Sequence, residues 1–375
     1  MTAKHDSPPA PRDGSDGAQP NGTQRLSTRR GGPDAIGRRG FLGVGLASLA
    51  AAGLASPSGP DSIPEAATNA FLARVTEDHV DLFSRPRPDS SRVSTAARDE
   101  VLDLLRQIVG RGLLPHNHVW FETPRGFLWS SFGQPVQDLP NLALETIPED
   151  GIWTEVSVPF VDGRREADPD SPVRYRLYWA MILNVDQRVS GVDGRIWYRV
   201  HDENDVKLFA PAEALRPIRA DELAPIRPEA EPKSIRVNLT RQDLSAWEGS
   251  VEVYYCRIAS GFGFLEDGRR VWNTPLGRMW TWRKMISRHM SGGTLVSGYD
   301  LPGVGCTILF SGSGAAVHST YWHNDFGTPR SHGCINTPPE AAKWLFRWSL
   351  PAVEYKPGDM TLHWPDTGTQ VIVEE

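Results

Sequence analysis

Alternating apolar and polar positions predict β-strands along much of the chain. Residues 118–123 and 126–129 form two short apolar runs around a Pro-Arg-Gly turn, which is the pattern of a hairpin. Residues 175–179 and 195–200 give two further strand-like runs, separated by Gly and Asp turns. The pattern therefore predicts two small β-rich modules before the C-terminal region.

These modules are expected at 71–140 and 150–221. One segment of the first module, 101–109, has a different period, because its apolar residues, Val101 and Leu105 among them, recur at helical spacing. Periodicity alone therefore predicts a helix for this segment, whereas a module built only from strands would need a strand there.

The C-terminal region begins after a proline-rich segment. Residues 222–233 contain three prolines and charges of both signs, which predicts a semi-rigid linker. A third domain is expected at 234–375, because alternating apolar positions return there. Its predicted strands lie within 235–239, 251–255, 307–310, 360–364 and 370–373.

One helix is expected in this third domain. Thr337 and Glu340 have the spacing of a capping box, and Pro338 would occupy the first helical position. Residues 341–348 then carry an apolar stripe at helical spacing, which predicts that one face of this helix is buried.

The N-terminus has the features of a targeting segment. Residues 1–37 are rich in Pro, Gly, Asp, Ser and Arg, a composition typical of disorder. The pair Arg38-Arg39 and the uncharged run at 41–55 resemble a twin-arginine export signal, so 1–56 are assigned to it. The resemblance implies the twin-arginine export machinery as a partner and the cell envelope, cell wall or periplasm, as the destination. An uncleaved signal would anchor the protein, and a low-complexity tail is the alternative.

Length and charge limit the remaining possibilities. The 375 residues suffice for two or three domains. Residues 1–55 carry seven Lys/Arg and four Asp/Glu, a net of +3, so the rest of the chain carries −9 and the whole chain −6. An acidic protein of this kind is not expected to bind nucleic acid.

The densest group of chemically active residues lies at 318–336. His318, His323, His332 and Cys334 fall within these nineteen residues. A cysteine thiolate is a nucleophile, and a nearby imidazole can take the proton of the thiol. A glycine beside the cysteine lets a carbonyl approach the backbone and leaves N–H groups for an oxyanion. The pattern indicates a thiol acyl-transfer enzyme.

The run Ser-His-Gly-Cys-Ile-Asn at 331–336, with His318 upstream, resembles the signature of the L,D-transpeptidase family of bacterial cell-wall enzymes. The resemblance covers roughly 235–375. It implies a mainly β catalytic domain, a sandwich or barrel with few helices, in which the cysteine attacks a peptidoglycan stem peptide. The twelve residues between His318 and Ser331 are slightly fewer than many members have.

The two upstream modules share a faint pattern of their own. Each has an aromatic pair, at 120–121 or 197–198, followed by a turn and then by a short proline-containing segment at 134–136 or 215–217. This pattern resembles a degenerate pair of bacterial SH3-like modules. The resemblance implies peptidoglycan binding or spacing, and a scaffold packed on the catalytic domain is the alternative.

Within the family signature we assign Cys334 as the nucleophile and His318 as the general base. Ser319 is expected to orient the imidazole through its hydroxyl or its carbonyl. His332 is expected to support the loop or to contact substrate, and the N–H groups of Gly333 and Cys334 to bind the oxyanion. The predicted substrate-binding residues are Tyr321, Trp322, His323, Asn324, Ser331 and Asn336, of which Ser331 and Asn336 would also fix the loop. His289 could border the site.

The resemblance implies an exported enzyme that forms 3-3 cross-links between peptidoglycan stem peptides. No metal and no organic cofactor is required. The predicted helix after Cys334 could favour the thiolate through its dipole. Cys256 and Cys306 could form a disulfide or remain two buried thiols.

Three other functions are compatible with the same residues. Water could replace the acceptor amine, which would make the protein an L,D-carboxypeptidase. The three histidines and Cys334 could bind zinc in a hydrolase, although their spacing matches no common zinc signature. The protein could also be a non-catalytic wall-binding protein built on the two N-terminal modules.

Overall fold

A computed structural model describes residues 71–266, 269–293 and 298–375 of the chain. The predicted export signal at 1–56 and the leader that follows it lie outside the described residues. The described part is mainly β, as predicted, and contains one α-helix. No helix in this part has both the length and the apolarity needed to cross a membrane.

The first module consists of two antiparallel sheets, ordered β4-β1-β8 and β3-β2-β7-β6-β5. A single turn of 3-10 helix at Ser130–Phe132 leads into its last strand. Its eight strands are β1 (Leu72–Val75), β2 (His79–Phe83), β3 (Arg92–Ala97), β4 (Val101–Asp103), β5 (Arg106–Val109), β6 (Val119–Thr123), β7 (Gly126–Trp129) and β8 (Gly133–Val136).

The helix predicted for 101–109 is wrong. This segment forms β4, which pairs with β1, and β5, which pairs with β6. The helical spacing of its apolar residues does not mark a buried face, because Leu105 is 61% exposed and Val109 is 73% exposed. Only Leu102 is buried there, so pairing with neighbouring strands decides the conformation.

The second module is one seven-stranded sheet in the order β11-β10-β14-β13-β12-β9-β15. Short 3-10 helices at Ala212–Ala214 and Ala220–Leu223 follow its later strands. Both modules are therefore built from strands, and their likeness to SH3-like barrels stays a prediction. The strands are β9 (Ile152–Val156), β10 (Phe160–Arg164), β11 (Val173–Tyr178), β12 (Ile182–Ser190), β13 (Ile196–His201), β14 (Lys207–Pro211) and β15 (Leu215–Pro217).

The third domain has two five-stranded sheets, β18-β17-β16-β27-β21 and β25-β24-β23-β22-β26, and a separate β19–β20 hairpin. The helix α1 packs on β23 and β24. Its elements are β16 (Lys233–Asn238), β17 (Asp243–Glu248), β18 (Val251–Arg257), β19 (Phe264–Glu266), β20 (Arg269–Val271), β21 (Gly277–Trp280), β22 (Arg283–Gly292), β23 (Tyr299–Leu309), β24 (Ala316–Ser319), β25 (Ile335–Thr337), α1 (Pro339–Trp348), β26 (Asp359–Thr361) and β27 (Gln370–Glu374).

The start of α1 differs from the prediction. Pro338 is the N-cap residue and no side chain caps the helix, so the predicted capping box is absent. The hydroxyl of Thr337 instead donates to the carbonyl of His318 at 3.0 Å and ties β25 to β24. The buried stripe of the helix is confirmed, because Leu345 and Trp348 have no exposed surface.

The predicted linker at 222–233 is packed against α1. Glu222 accepts from Lys343 at 3.2 Å, and the N–H of Ile226 donates to the carbonyl of Arg347 at 2.9 Å. This segment therefore carries the chain from the second module along the surface of the third domain. Cys256 and Cys306 are free buried thiols, so the possible disulfide between them is not formed.

Lys284 on β22 satisfies the end of α1 from inside the protein. Its ammonium, which is fully buried, donates to the carbonyls of Phe346, Ser349 and Pro351 at 2.5, 2.6 and 2.7 Å. The last carbonyls of a helix, here that of Phe346, have no partner within the helix, and Ser349 and Pro351 follow directly after it. All three residues are buried, so Lys284 satisfies carbonyls that solvent does not reach. Burial lowers the pKa of Lys284 to about 7.

We expect Lys284→Met to destabilise the protein by about 3 kcal/mol at pH 9, because the buried carbonyls lose the two N–H donors of the neutral amine. The pKa of Lys284 in the folded protein lies below its pKa in the unfolded chain. Between these two pH values the unfolded state therefore binds more protons. Wild-type stability should therefore rise by roughly 2 kcal/mol from pH 7 to pH 9, and that of Lys284→Met should not. Urea unfolding at the two pH values measures both effects, and parallel pH dependence would contradict the account.

Candidate active site

His318 and Cys334 come together through a parallel strand pair. His318 on β24 lies opposite Asn336 on β25, and Cys334 precedes Asn336 by two residues. Cys334 is the residue immediately before β25, so it lies at the start of the strand that pairs with the strand of His318. Both residues line one cavity of about 320 Å³.

The cavity is lined by ten residues, both apolar and polar. Six of its lining residues are among those predicted from the sequence: His318, Trp322, Ser331, His332, Cys334 and Asn336. Four were not predicted: Met290, Tyr299, Leu301 and Arg330. Met290, Tyr299 and Leu301 belong to β22 and β23, which the motif does not include. The sequence analysis pointed only to the neighbour of Met290, because His289 was expected to border the site.

The imidazole of His318 is oriented by a backbone carbonyl. Its Nδ1–H donates to the carbonyl of Ser319 at 2.8 Å, which leaves Nε2 with a lone pair. The hydroxyl of Ser319 accepts from the N–H of Gly305 at 2.9 Å, so it is the carbonyl of Ser319 that contacts the ring. Burial lowers the pKa of His318 to about 4, and the charge of Arg288 acts in the same direction. At neutral pH this imidazole is therefore uncharged and able to accept a proton.

The thiol of Cys334 is also uncharged at neutral pH. Burial raises its pKa, although a hydrogen bond from the N–H of Ala316 and the charge of Arg288 both favour the thiolate. β25 lies between Cys334 and the start of α1, and an effect of the helix dipole on the thiol stays a prediction. The resting pair is thus a neutral thiol and a neutral imidazole, which requires proton transfer during the attack.

Gly333 has a backbone conformation that suits glycine. Its φ is +124°, in a region that other residues rarely adopt. Its N–H donates to the hydroxyl of Ser331 at 3.1 Å, and that hydroxyl in turn donates to the carbonyl of Cys334. The N–H of Gly333 is therefore engaged, contrary to its predicted role in binding the oxyanion. The N–H of Cys334 has no acceptor among the described residues and stays the predicted donor.

We expect Gly333→Ala to lower the acylation rate of Cys334 by about 10- to 100-fold, because the strained backbone would move the amide of Cys334. A β-carbon at this position would lie 3.3 Å from the carbonyl oxygen of Asn273, so space is also limited. The rate of covalent inhibition, with the thermal midpoint as a control for folding, measures the effect. An unchanged rate would show that this backbone conformation is dispensable.

His332 packs between two aromatic rings at the mouth of the cavity. Its ring centroid lies 4.1 Å from that of Trp272 and 4.9 Å from that of Tyr299. The side chain is exposed. This position fits the prediction that His332 supports the loop or contacts substrate, and His318 as the general base stays a prediction.

His323 lies behind the cavity. It is buried and is not among the lining residues. Burial lowers its pKa to about 3, so the ring is neutral and carries one proton. Nδ1 accepts from the N–H of Asp325 at 3.2 Å, which places that proton on Nε2, 2.9 Å from the side-chain amide of Asn336. With its oxygen turned toward Nε2, this amide would accept from His323. His323 therefore holds Asn336, and the structure does not support direct substrate contact.

Tyr321 and Asn324 also lie outside the lining of the cavity. The hydroxyl of Tyr321 donates to the carbonyl of Pro302 at 2.8 Å. The amide of Asn324 donates to the carbonyl of Ser130 at 2.9 Å. Of the four consecutive residues predicted to bind substrate at 321–324, only Trp322 faces the cavity, because the other three are tied to surrounding parts of the protein.

His289 belongs to a contact between the second module and the third domain. Its Nδ1 lies 2.6 Å from a carboxylate oxygen of Asp202, and its Nε2 lies 2.5 Å from one of Asp300. Burial lowers the pKa of His289, but the two carboxylates outweigh burial and the net shift is upward. The neighbouring Met290 lines the cavity, so His289 borders the site only indirectly.

The zinc alternative requires the three histidines and Cys334 to converge. His323 is held behind the cavity by Asn336 and Asp325, and His332 is stacked at its mouth. Within 71–266, 269–293 and 298–375, no three His, Cys, Asp or Glu side chains are grouped as a metal site would need.

The third domain matches a known protein family. The family profile of the L,D-transpeptidase catalytic domain, YkuD, matches residues 232–373. These residues form an L,D-transpeptidase catalytic domain. A search of curated proteins found no match.

Several solved structures are similar to parts of the chain. The Ldtfm–avibactam carbamoyl enzyme is 26% identical over 38% of this chain and 49% of its own, with a TM-score of 0.29. A mutant of Enterococcus faecium L,D-transpeptidase is 25% identical over 38% and 50%, with a TM-score of 0.28. An L,D-transpeptidase from Mycobacterium smegmatis is 15% identical over 73% and 99%, with a TM-score of 0.30. The chain thus spans about half the length of the first two proteins.

Proposed function

We propose that this protein is an exported peptidoglycan L,D-transpeptidase that forms 3-3 cross-links through an acyl-enzyme on Cys334. The single observation that carries the proposal is that Cys334 and His318 line one cavity, with Nδ1 of His318 committed to the carbonyl of Ser319. This leaves Nε2 as the proton acceptor. The match of residues 232–373 to the catalytic domain profile supports it.

The first half of the reaction acylates the cysteine. Nε2 of His318 takes the thiol proton as Sγ of Cys334 attacks the carbonyl carbon at the third residue of a tetrapeptide stem. The N–H of Cys334 donates to the oxygen of the tetrahedral intermediate. The bond to the terminal D-alanine then breaks, His318 returns the proton to its amine, and a thioester remains.

The second half transfers the acyl group. The side-chain amine of another stem attacks the thioester carbonyl, and Nε2 of His318 takes a proton from that amine. The C–S bond breaks, and the sulfur of Cys334 recovers its proton from the imidazolium. The products are a 3-3 cross-linked peptide and the free enzyme, with no change in oxidation state.

Residues around the pair have supporting roles in this proposal. Arg288 stabilises the thiolate as it forms, because its charge lowers the pKa of Cys334. Trp322, Ser331 and Asn336 line the cavity and are assigned to the donor stem. The chemistry uses protein groups alone, and we assign no metal or organic cofactor to it.

Export to the cell envelope is part of the proposal. It depends on the resemblance of residues 1–56 to a twin-arginine signal, which implies the export machinery as a partner, with anchoring if the signal is uncleaved. The cell wall or the periplasm is the expected location. Binding of the two N-terminal modules to the wall is proposed as an additional interaction.

Product analysis tests the proposal against its alternatives. The purified protein is incubated with a disaccharide tetrapeptide, and the products are separated and weighed by mass spectrometry. We expect a dimer that has lost one D-alanine per cross-link. Tripeptide without dimer would identify an L,D-carboxypeptidase instead, and no product together with binding to isolated wall would favour a non-catalytic wall-binding protein.

A further inference from the structure

The first module contacts the segment that leads into the nucleophile. Residues 320–331 follow His318 and Ser319 on β24 and end at the Ser-His-Gly-Cys run. Arg74 of β1 donates to the carbonyl of Tyr321 at 2.5 Å, and Asn324 donates to the carbonyl of Ser130 at 2.9 Å. These two contacts fix the backbone of this segment against the first module.

Two ionic contacts extend this attachment to side chains. Arg330 donates to Glu77 of the first module at 3.0 Å and to Asp325 at 3.1 Å. Nε2 of His116, also in the first module, lies 2.6 Å from the other oxygen of Asp325. The carboxylate of Asp325 is only 5% exposed, so its two partners replace water as its donors.

Arg330 and Asp325 are each connected to the lining of the cavity. Arg330 lines it and immediately precedes Ser331. Asp325 reaches it through His323, because the N–H of Asp325 donates to Nδ1 of His323, whose Nε2 contacts the amide of Asn336. Asn336 lines the cavity opposite His318 in the strand register. Glu77 and His116 of the first module are therefore each linked, through other residues, to a residue that lines the cavity.

We propose that Glu77 and His116 are positioning residues of the active site, acting through Arg330 and Asp325 on the donor-stem cavity. The first module then helps to position the residues of the active site, in addition to any contact it makes with the cell wall. This inference rests on the proposed function, since it concerns the same cavity. Neither residue lines the cavity, so each acts only through its partner.

The buried position of Asp325 makes the geometry of this network sensitive to its partners. Loss of the Glu77 charge would leave Arg330 paired with Asp325 alone and free to change its direction at the cavity wall. Loss of the His116 donor would leave the carboxylate of Asp325 paired with Arg330 alone. The N–H of Asp325, which holds Nδ1 of His323, would then be less firmly positioned. Misplacement of a binding wall by a small distance is enough to slow a reaction substantially.

The test measures the second-order rate of acylation of Cys334 by a carbapenem in the full chain. We expect Glu77→Gln and His116→Phe each to lower this rate about tenfold. The phenylalanine keeps the aromatic ring that packs on Trp129 at 5.5 Å but removes the donor. His116→Gln keeps a donor and should recover most of the rate.

The matched control is Asp78→Asn. Asp78 is next to Glu77 in the sequence and pairs with Arg98 of the same module at 2.6 Å, away from the cavity. Its replacement should leave the acylation rate unchanged. Glu77→Gln and Asp78→Asn should melt within about 2 °C of the wild type, because partly exposed ion pairs contribute about 1 kcal/mol or less. His116→Phe removes a donor from the buried carboxylate of Asp325 and should melt lower than His116→Gln, so rates are compared per folded molecule.

A double-mutant cycle separates positioning from a general effect on the fold. In the Arg330→Gln background, Glu77→Gln should cause no further loss, because its path to the cavity has been removed. The proposal is overturned if Glu77→Gln and His116→Phe react at the wild-type rate. It is also overturned if the loss from Glu77→Gln is the same with and without Arg330.

Failure of the proposed function would be recognised separately. If the wild type is not acylated by the carbapenem, the transpeptidase proposal is contradicted. The positioning role is then judged by the rate at which iodoacetamide alkylates Cys334, with the buried Cys256 and Cys306 as internal references. Glu77→Gln and His116→Phe should change this rate relative to Asp78→Asn, and equal rates would overturn the inference.

Discussion

Cys334→Ala is expected to lose at least about a thousandfold in the rate of cross-link formation, because no other group can form the thioester. The remaining thiols are poor substitutes. Cys256 and Cys306 are fully packed in the core, and burial raises the pKa of Cys306 to about 12. Release of D-alanine from a tetrapeptide donor, followed over time, measures the loss.

The matched control for this prediction is Cys256→Ala. This change removes a buried thiol that does not line the cavity, so it should cost about 1 kcal/mol of stability and leave the rate per folded molecule unchanged. Turnover by Cys334→Ala above a few per cent of wild type would mean that the nucleophile lies elsewhere.

His318→Gln is expected to lower the acylation rate by about 100- to 10,000-fold, since the general base is lost. Glutamine retains polarity and approximate size, so the walls of the cavity should stay in place. The rate of acylation by a tetrapeptide donor at pH 7.5, with the thermal midpoint as a check on folding, measures the effect.

The pH profile gives this prediction a sharper form. In the wild type, His318 loses its proton above about pH 4, and the thiol of Cys334 keeps its proton past its usual range. The pair therefore stays in its reactive form, and the acylation rate should be nearly constant between about pH 5 and 8. In His318→Gln only the thiolate reacts, so the rate should rise about tenfold per pH unit over the same range. A wild-type profile with an inflection near the usual histidine pKa would contradict this assignment.

The sequence was most informative where chemistry and local geometry coincide. The motif at 318–336 predicted that Cys334 and His318 would act together, and both line one cavity. Strands such as β16 and β27 were also predicted, because their apolar positions alternate with polar ones. The buried stripe on α1 was predicted correctly because its apolar residues recur at helical spacing, and Leu345 is fully buried.

Other features depend on partners that are distant in the sequence. The strands at 101–109 are decided by pairing with β1 and β6, which overrides the helical spacing of residues that are largely exposed. The capping box failed because the hydroxyl of Thr337 has a competing acceptor on β24. Neither outcome can be obtained from a local window.

The cavity residues that belong to β23 also could not be predicted from a local pattern. Tyr299 and Leu301 face Cys334 only because β23 folds beside β24, and no residue type in that stretch indicates catalysis. The attachment of Glu77 to Arg330 joins residues 253 positions apart. Predicting it would require knowledge of how the first module docks, which composition and spacing do not encode.

The most direct measurement of the central claim is the intact mass of the wild-type protein during reaction with a tetrapeptide donor, followed by peptide mapping. The account predicts a transient mass increase equal to the donor without its terminal D-alanine, located on the peptide that contains Cys334 and absent from Cys334→Ala. Cross-linked product formed without any adduct, or an adduct on another residue, would contradict it.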